Sequence, residues 1–445
     1  MGCSFSGLNA LYDNVGGGGG DVWVNDYRFR VLRRLGDAGG AGSSVFLVKE
    51  VIAAAAASDG TAGAGPGAVG LARKKGVEPS HISALSMLAM LEVIEVIARA
   101  DGTYALKKVL IHNNQHLELV RQEIQVSSQF SHPNLLPLLE HAIIAVKGVQ
   151  DGSQNHEAYL LFPVHLDGTL QDATKIMLEK KEHFPTITVL QIFRQLCAGL
   201  KHMHSFDPPY AHNGVKPDNI LITQRKEQPH LAILMDFEST RPARITIRSQ
   251  AEALQLQEWA SEHCSAHYRA PELWECPSHA DIDERTDIWS LGCTLYAMIF
   301  GSDALNYTRI SPSISFVNYR ALTFLICCQP QPRGPEEQRL HEIDGAGMAK
   351  ATNVQRTGNE ARYGHYGLRR YGKSPFDYEI DESAGESLHA VVKSAQIKWP
   401  AEAESSYPDS LRQFITWMLQ PHPAVRPHID DIIIHVDKLI AKYST

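Results

Sequence analysis

Residues 211–222 read AHNGVKPDNILI, a stretch that crowds polar groups in front of a short apolar run typical of a β-strand. A second short apolar run, AILM, leads directly into Asp236. The amide of Asn219 and the carboxylate of Asp236 both offer oxygen, which is the ligand that hard cations such as Mg²⁺ prefer. These two residues are therefore candidates for one metal site.

The segment that begins at Tyr27 predicts β-strands on either side of a glycine-rich loop. YRFRVLRRLG and SSVFLVKEV alternate apolar residues, and LGDAGGAGSSV lies at their junction. Glycines such as Gly36, Gly39 and Gly40 allow backbone N–H groups to approach phosphate oxygens closely, with Val45 just beyond them. Without further context, an ordinary surface turn explains this loop equally well.

A lysine and a glutamate that follow the loop predict an ion pair. Lys107 lies in the strand-like run TYALKKVLI, two residues after Ala105, and Glu123 lies in the helical pattern HLELVRQEIQVSSQF. A strand lysine aimed by a helix glutamate is an arrangement that binds nucleotide phosphates. Taken alone, Lys107 is read as a solvated side chain.

The sequence becomes helical after Gly168. LQIFRQLCAGLKHMH has one apolar face, IWSLGCTLYAMIF is apolar all round and predicts a buried helix, and SLRQFITWML and IDDIIIHVDKLI predict two further helices. The fold class is therefore α+β, with a small β-rich N-lobe in residues 26–165 and a larger helical C-lobe in residues 166–441. Long insertions near 51–96 and 302–370 interrupt the lobes, and low complexity predicts that the first is disordered.

Bulk composition excludes several classes of protein. The 445 residues carry a net charge of −8, which argues against a nucleic-acid partner. No apolar run is long enough to span a bilayer. The seven cysteines are scattered without metal-ligand spacing, which predicts a reduced, intracellular chain.

The first residues, MGCSFS, predict membrane attachment by acylation. Gly2 fits the N-myristoylation pattern, Cys3 is a candidate for palmitoylation, and a run of five glycines tethers this tip to the lobes. We therefore expect residues 1–25 to be a flexible, acylated N-terminus. One acyl chain holds a membrane only marginally, whereas two anchor it stably.

The order of these motifs along the chain carries a family resemblance. Ala270-Pro271-Glu272, then DIWSLG at 287–292 and finally Arg426 follow the lysine, asparagine and aspartate. The chain resembles a eukaryotic protein kinase, most closely the Numb-associated kinase family. The stretches that carry this finer likeness are LQEWASEHCSAHYRAPEL (256–273), IDERTDIWSLGCTLYAMIFG (282–301), YGKSPFD (371–377) and RPHI (426–429). An unrelated α/β scaffold would require this order to be coincidence.

The resemblance implies a two-lobed fold that binds ATP and Mg²⁺ in the cleft between the lobes. Phe162 would be the gatekeeper, with the hinge running from Pro163 to His165. In the family's roles, Lys107 would contact the α- and β-phosphates, with Glu123 as its ion-pair partner. Asn219 and Asp236 would be the metal ligands. Lys216 would contact the γ-phosphate.

Other implications of the resemblance concern support, substrate and location. Glu272 with Arg426 would form a structural ion pair, and Asp287 would support the loop at 211–222. Lys216 at its place in the loop points to serine/threonine protein substrates. The family also suggests the cytosolic face of Golgi or endosomal membranes, with a cytoplasmic pool.

Three positions depart from the family pattern. Gly214 stands where the family has the catalytic aspartate, Asn213 replaces an arginine, and Glu238 replaces the glycine after Asp236-Phe237. Asp218 is read as a solvated side chain and not as a substitute base. Two functions follow: a serine/threonine kinase of reduced activity, or a non-catalytic pseudokinase that signals by binding, with ATP as a structural ligand. The three departures favour the second.

Overall fold

The computed structural model describes residues 20–37, 43–51, 102–147, 154–225, 228–300, 392–395, 397, 399 and 407–444. Gly2, Cys3, Gly39 and Gly40 lie outside the described residues. So do nearly all of the first predicted insertion and the whole of the second.

In the residues that the structure describes, the N-lobe is a six-stranded antiparallel sheet with one helix, α1 (Asn114–Gln129). Its strand order is β1-β2-β3-β4-β6-β5. The strands are β1 (Asp21–Val24), β2 (Tyr27–Asp37), β3 (Ser43–Glu50), β4 (Thr103–Ile111), β5 (Glu140–Lys147) and β6 (Gln154–Pro163).

Strand β1 corrects the predicted N-terminal boundary. Residues 1–25 were expected to be a flexible tether, yet Asp21–Val24 pairs antiparallel with β2. Val22 and Val24 are buried while Trp23 between them is 44% exposed, which is the alternation of a strand with one covered face. The lobe therefore begins one strand earlier than predicted.

Alternation along β4 decides where Lys107 points. Tyr104 and Leu106 join the apolar cluster on one face of the sheet, whereas Val109 and Ile111 join the cluster that packs against α1. Because successive side chains of a strand point to opposite faces, Lys107 shares the face of Val109 and Ile111. The strand therefore directs the lysine towards α1.

The C-lobe is mostly helical. Its helices are α2 (Leu170–Lys180), α3 (Thr186–His204), α4 (Gln250–His263), α5 (Pro271–Trp274), α6 (Arg285–Phe300), α7 (Asp409–Met418) and α8 (Ile429–Tyr443). Its short strands are β7 (Tyr210–Ala211), β8 (Ile220–Arg225), β9 (Gln228–Leu234), β10 (Arg241–Pro242), β11 (Ile245–Ile247) and β12 (Ala280–Ile282). The sequence predicts the two-lobed α+β fold correctly.

Helix α6 is the centre of the C-lobe core. All of its residues after Arg285 are buried, as the apolar sequence predicts. The predicted apolar face of α3 packs into the same core through Leu190, Phe193, Leu196, Cys197 and Leu200. This rigid core carries the loop at 211–222, which lies between α3 and β8.

Backbone hydrogen bonds connect the end of α1 to the C-lobe hairpin. Residues 134–136 lie before strand β5, which begins at Glu140. The segment makes a bridge to β9, in which Leu136 N–H donates to Leu234 O at 2.9 Å. This bridge fixes the sheet of the N-lobe relative to the strand that leads to Asp236.

Candidate active site

Lys107 and Glu123 form the ion pair that the sequence predicts. Lys107 Nζ lies 2.7 Å from Glu123 Oε1, and both side chains are buried. Helix α1 presents the glutamate because Asn113 caps its first turn, accepting a hydrogen bond from His116 N–H at 2.7 Å. The pair therefore places a fixed cation on the inner face of the N-lobe sheet.

Neighbouring carboxylates keep this lysine charged. Burial alone would lower the pKa of Lys107, but the charges of Glu123, Asp236 and Glu238 and the hydrogen bond from the ammonium to Glu123 raise it above its usual range. Asp236 and Glu238 come from the C-lobe side of the chain. Lys107 is therefore a permanent positive charge that faces the acids expected to bind metal.

Asp236 has the geometry of a side chain held for a ligand. Its backbone is left-handed, with φ of 69°, a conformation that aspartate tolerates better than most residues. Its Oδ1 atom is buried and accepts no hydrogen bond from any residue that the structure describes. A buried carboxylate oxygen with no donor is costly unless a cation compensates it, so Asp236 fits the expected metal ion.

Phe237 locks the backbone next to Asp236. The ring is buried against Phe130, at a centroid distance of 5.4 Å, and against His212, also at 5.4 Å. Glu238, which follows, is exposed and takes part in no hydrogen bond or ion pair described for this chain. Glu238, which stands where the family has glycine, thus follows a phenylalanine that is already packed inward.

Asn219 is oriented with its amide nitrogen away from the metal position. Its Nδ2 donates to Gly214 O at 2.9 Å, which leaves the side-chain oxygen as the available ligand. Its backbone carbonyl accepts from Met235 N–H at 2.9 Å, which ties it to the residue before Asp236. Asn219 therefore also fits a hard cation, and the two candidate ligands lie just before β8 and just after β9, which pair with each other.

Asp287 supports the loop before Asn219, as the resemblance implied. This fully buried carboxylate accepts hydrogen bonds from the backbone N–H groups of His212 and Asn213, each at 2.8 Å, and lies 2.9 Å from His204 Nε2. Burial lowers the pKa of His212, against the opposing charges of Asp287 and Asp236. A residue of α6 therefore helps to hold the shape of the loop.

Gly214 lies where the loop could still carry an acidic side chain. A Cβ atom built on it would meet His212 Nδ1 at 3.2 Å and Asn219 Nδ2 at 3.4 Å, and its φ is not left-handed. Neighbours must therefore move by only a few tenths of an ångström to accept a Cβ atom at this position. Position 214 thus has no side chain, although its backbone conformation is compatible with one.

Asn213 stands where the family has an arginine, and its side chain makes neutral hydrogen bonds. Its left-handed φ of 57° suits asparagine. The side-chain nitrogen donates to Ala211 O at 3.3 Å and Ser239 O at 3.4 Å, and the oxygen accepts from Thr286 Oγ1 at 3.2 Å. The loop is thereby linked to the segment after Asp236 without an arginine.

Lys216 contacts a hydroxyl group and not a carboxylate. Its Nζ donates to Ser265 Oγ at 3.0 Å, and no ion pair within 4.0 Å joins it to an acid of the described residues. Sequence reasoning missed Ser265, because nothing about an isolated serine 49 positions away signals this contact. Lys216 and Ser265 therefore bring residues of the loop and of a later segment together beside Gly214.

The segment that leads from Asp236 to Glu272 is held by packing. Strand β10 pairs with β7 and β11 pairs with β12, while Ser249 and Glu252 cap α4 reciprocally. The Trp259 ring stacks on His263 at 5.3 Å, with Arg241 over it at 4.4 Å. Sequence reasoning did not predict α4, whose apolar side chains form a separate small cluster.

The remaining predicted residues surround the inner edge of the N-lobe sheet. Ala105 pairs with Phe162 between β4 and β6, and Val45 pairs with Gly36 and with Lys107 on its two sides. Pro163 ends β6. His165 Nδ1 lies 3.0 Å from Thr223 Oγ1, so a hydrogen bond connects the predicted hinge to β8 of the C-lobe.

A buried bidentate ion pair completes the predicted set. Arg426 donates to both carboxylate oxygens of Glu272, at 2.6 and 2.7 Å, and its guanidinium lies 5.1 Å from the centre of the Trp289 ring. This pair joins the segment before α8 to α5 and α6, and it is structural, as expected.

Comparison with known proteins agrees with this geometry. The family model described as protein kinase domain matches residues 90–357, and the chain belongs to the protein kinase family. It is 39% identical to human serine/threonine-protein kinase 16 over 198 residues, which are 44% of this chain and 61% of that protein. It is 28% identical to a probable serine/threonine-protein kinase of Dictyostelium discoideum over 295 residues, which are 53% of this chain and 77% of that protein.

The aligned part is limited in extent. The match with serine/threonine-protein kinase 16 of the mouse also covers 61% of that protein, at 38% identity. The chain thus spans about three fifths of the length of the mammalian relatives, and α7 and α8 lie beyond the residues that the family model matches.

Proposed function

We propose that this protein binds ATP with Mg²⁺ and signals mainly through the bound state, as a pseudokinase of the serine/threonine class with strongly reduced phosphotransfer. The observation that carries this proposal is the contrast between Asp236, whose buried Oδ1 accepts no hydrogen bond from the described residues, and Gly214, which has no side chain. Metal binding needs the first residue, and acceptance of the substrate proton needs a carboxylate at the second.

In the proposed binding mode, residues of both lobes contact the nucleotide. Lys107 would contact the α- and β-phosphates, and Asn219 and Asp236 would hold Mg²⁺, which neutralises charge on the transferred phosphate. Phe162, Pro163 and His165 would border the adenine, and Gly36 with Gly39 and Gly40 would cover the phosphates. Lys216 would reach the γ-phosphate.

An active serine/threonine kinase is the second candidate. Positioning and electrostatics supply most of the catalysis of phosphoryl transfer, and those parts of the site are present. The segment between Asp236 and Glu272 favours this reading, since its helix α4 is capped and packs through its own apolar cluster.

A binding measurement with a metal control tests the proposal. We expect ATP to bind the wild-type chain in the presence of Mg²⁺ and more weakly after chelation. Asp236→Ala should remove the difference between the two conditions, and Asp281→Ala, at an exposed ion pair, should preserve it. Equal affinity with and without Mg²⁺ in the wild type would contradict the proposed metal site.

We further propose membership of the Numb-associated family, with a likeness to its myristoylated and palmitoylated serine/threonine kinase. The support is the sequence of α4 and α6 together with MGCSFS at the start. The protein would then be anchored to the cytosolic face of Golgi or endosomal membranes through acylated Gly2 and Cys3, with protein substrates or signalling partners there.

Subcellular fractionation tests the anchor separately from the kinase site. Gly2→Ala removes the myristoyl acceptor and should move the protein to the soluble fraction. Cys3→Ser should leave weak, reversible binding, because one chain anchors only marginally. No helix of the described residues is long and apolar enough to cross a bilayer. Equal membrane fractions for the wild type and both variants would refute acyl anchoring.

A further inference from the structure

The first three strands of the N-lobe share a face that carries exposed cations and a tryptophan. Trp23 lies opposite Arg28 in the pairing of β1 with β2, and Arg30 lies opposite Lys49 in the pairing of β2 with β3. Directly opposed residues of an antiparallel pair lie on the same face, as do residues two apart on one strand. Trp23, Arg28, Arg30 and Lys49 therefore lie on one continuous surface, which we call the β1–β3 face.

The β1–β3 face is open to water, whereas the other face of these strands is a packed core. Trp23 is 44% exposed, the side chains of the two arginines are 45% and 56% exposed, and Lys49 is exposed as well. On the other side, Phe29 pairs with Glu50, and Val48 joins Phe29 in the apolar cluster of the lobe. The indole of Trp23 is thus a large apolar group that remains at the surface beside the cations.

The charge on the β1–β3 face is positive, although the net charge of the chain is −8. Asp21 shares this face, and its carboxylate accepts hydrogen bonds from Arg28 at 2.7 Å and from Arg30 at 3.2 Å. The three cations of the face against this one acid leave an excess of positive charge. At the two ends of the face, the charges of Asp26, in the turn after β1, and of Arg33, on β2, offset each other.

A bilayer with anionic headgroups matches this combination of groups. Tryptophan is enriched at membrane–water interfaces, because its ring is apolar while its N–H needs a polar partner. Lysine and arginine near the surface are attracted to anionic lipids. Strand β1 is also the first described element after Gly2 and Cys3, and a run of five glycines precedes it. An acylated N-terminus would therefore hold this edge of the sheet close to the bilayer.

We propose that the β1–β3 face is a membrane-contact surface for anionic phospholipids, with Trp23 at the level of the headgroups and Arg28, Arg30 and Lys49 against their phosphate and carboxylate groups. The choice of a bilayer over another anionic partner rests on the proposed acyl anchor. One acyl chain with a cationic surface is a pair of signals that holds a membrane stably, whereas one chain alone does so only marginally. Asp21 limits the attraction, because it neutralises part of the positive charge.

The first arm of the test measures the β1–β3 face without an acyl chain. The full-length protein carrying Gly2→Ala and Cys3→Ser is sedimented with vesicles of phosphatidylcholine alone or of equal parts phosphatidylcholine and phosphatidylserine. We expect binding to be at least about tenfold stronger with phosphatidylserine. The difference should shrink as the salt concentration rises, because salt screens exposed charges.

Variants of the ion pairs on this face should change the binding in opposite directions. Arg30→Gln should weaken binding to phosphatidylserine vesicles about fivefold, and Asp21→Asn should strengthen it by a similar factor, since the arginines then lose their acid. The matched controls are Arg121→Gln and Glu118→Gln, which change an exposed ion pair of α1 and should leave the binding unchanged.

Trp23→Ser separates a bilayer from a soluble anionic partner. The variant should bind phosphatidylserine vesicles more weakly at every salt concentration, because salt does not screen an apolar contact. It should bind polyglutamate, a soluble polyanion, as the parent protein does. Binding to polyglutamate as tight as binding to the vesicles, with no effect of Trp23→Ser on either, would assign the face to an acidic protein and overturn the inference.

The remaining outcomes distinguish the face from the proposed acyl anchor. Equal binding to vesicles with and without phosphatidylserine overturns the inference, as do equal losses in Arg30→Gln and Arg121→Gln. The acylated wild type tests the anchor, since it should bind vesicles of phosphatidylcholine alone. If it binds them no better than the protein without acyl chains, acyl anchoring is overturned. A dependence on phosphatidylserine, Arg30 and Asp21 would still support the face.

Discussion

The two sides of the candidate active site differ in how completely they are built. On the nucleotide side, Lys107 and Glu123 are paired at 2.7 Å and Asp236 keeps a buried oxygen without a hydrogen-bond donor among the described residues. On the acceptor side, Gly214 has no side chain and Lys216 donates a hydrogen bond to the hydroxyl of Ser265. Binding of nucleotide and transfer of phosphate are therefore expected to be separable properties of this protein.

The contrast also shows that a loop with glycine at position 214 can be held firmly in place. Asp287 holds the backbone of His212 and Asn213 from within α6, and Asn219 holds the carbonyl of Gly214. The supporting hydrogen bonds come from outside position 214. Variants of these residues test how far the two sides are independent, beginning with Asp287, which holds the loop.

Asp287→Ala should have the largest effect on stability. The change leaves two buried backbone N–H groups and His204 without their acceptor, at about 3–5 kcal/mol in total. Urea unfolding should show this loss, while Asp281→Ala, in an exposed ion pair, changes stability by about 1 kcal/mol or less. Similar stabilities of the two variants would show that the loop is held by other contacts.

Lys107→Met should act on the nucleotide side alone. A ligand at a hundred times its Kd stabilises the folded state by about 2.7 kcal/mol, and the variant should lose most of that increment. The quantity to compare is the shift of Tm on adding Mg-ATP, since the variant also leaves Glu123 buried without its partner. Gly214→Asp is the control from the acceptor side and should keep the shift.

A wild-type melting curve that does not move in millimolar Mg-ATP would remove the basis of the comparison. So would a full shift in Lys107→Met, because the buried cation would then contribute nothing to binding.

The low pKa of His132 predicts that the stability of the fold depends on pH. Burial, with the nearby His202, lowers its pKa to about 4. The His202 ring packs against Phe130, which contacts Phe237. Because the folded-state pKa lies below the unfolded value, the unfolded chain binds the proton more readily. Stability is therefore full above about pH 6.5 and declines as the pH falls towards 4.

In His132→Gln, the free energy of unfolding should fall by about 2 kcal/mol less between pH 7 and pH 4 than in the wild type. This figure allows for partial exposure of the ring. Denaturation midpoints between pH 7 and pH 4 measure the effect, with His279→Gln, at an exposed histidine, as the control. Parallel profiles for the wild type and both variants would show that the pair does not couple to folding.

Residues whose roles depend on local sequence were predictable. The motif of a strand lysine followed by a helix glutamate predicted the pair of Lys107 and Glu123, and the fully apolar sequence of α6 predicted its burial. The site also contains contacts between distant residues, such as Ser265 with Lys216, and the stacking of Arg241 and His263 on Trp259. Those arise from tertiary folding, and no local pattern specifies them.

Boundaries and backbone conformations were the other features that sequence could not specify. Strand β1 is short and follows a glycine run, so its pairing with β2 has no signal beyond two valines. The left-handed conformations of Asn213 and Asp236 follow from the bonds that the surrounding loop makes. Propensity alone only permits such conformations for asparagine and aspartate.

The most direct test of the central claim measures ATP affinity and single-turnover phosphate transfer on the same three proteins: wild type, Gly214→Asp and Asp236→Ala. Wild type and Gly214→Asp should bind Mg-ATP alike, while Gly214→Asp transfers phosphate to a serine peptide without acids about 10²–10⁴-fold faster. Asp236→Ala should lose the Mg²⁺-dependent part of binding and all transfer. Rapid wild-type transfer that Asp236→Ala abolishes and Gly214→Asp does not improve would contradict the account, since the acceptor side would then be complete without its aspartate.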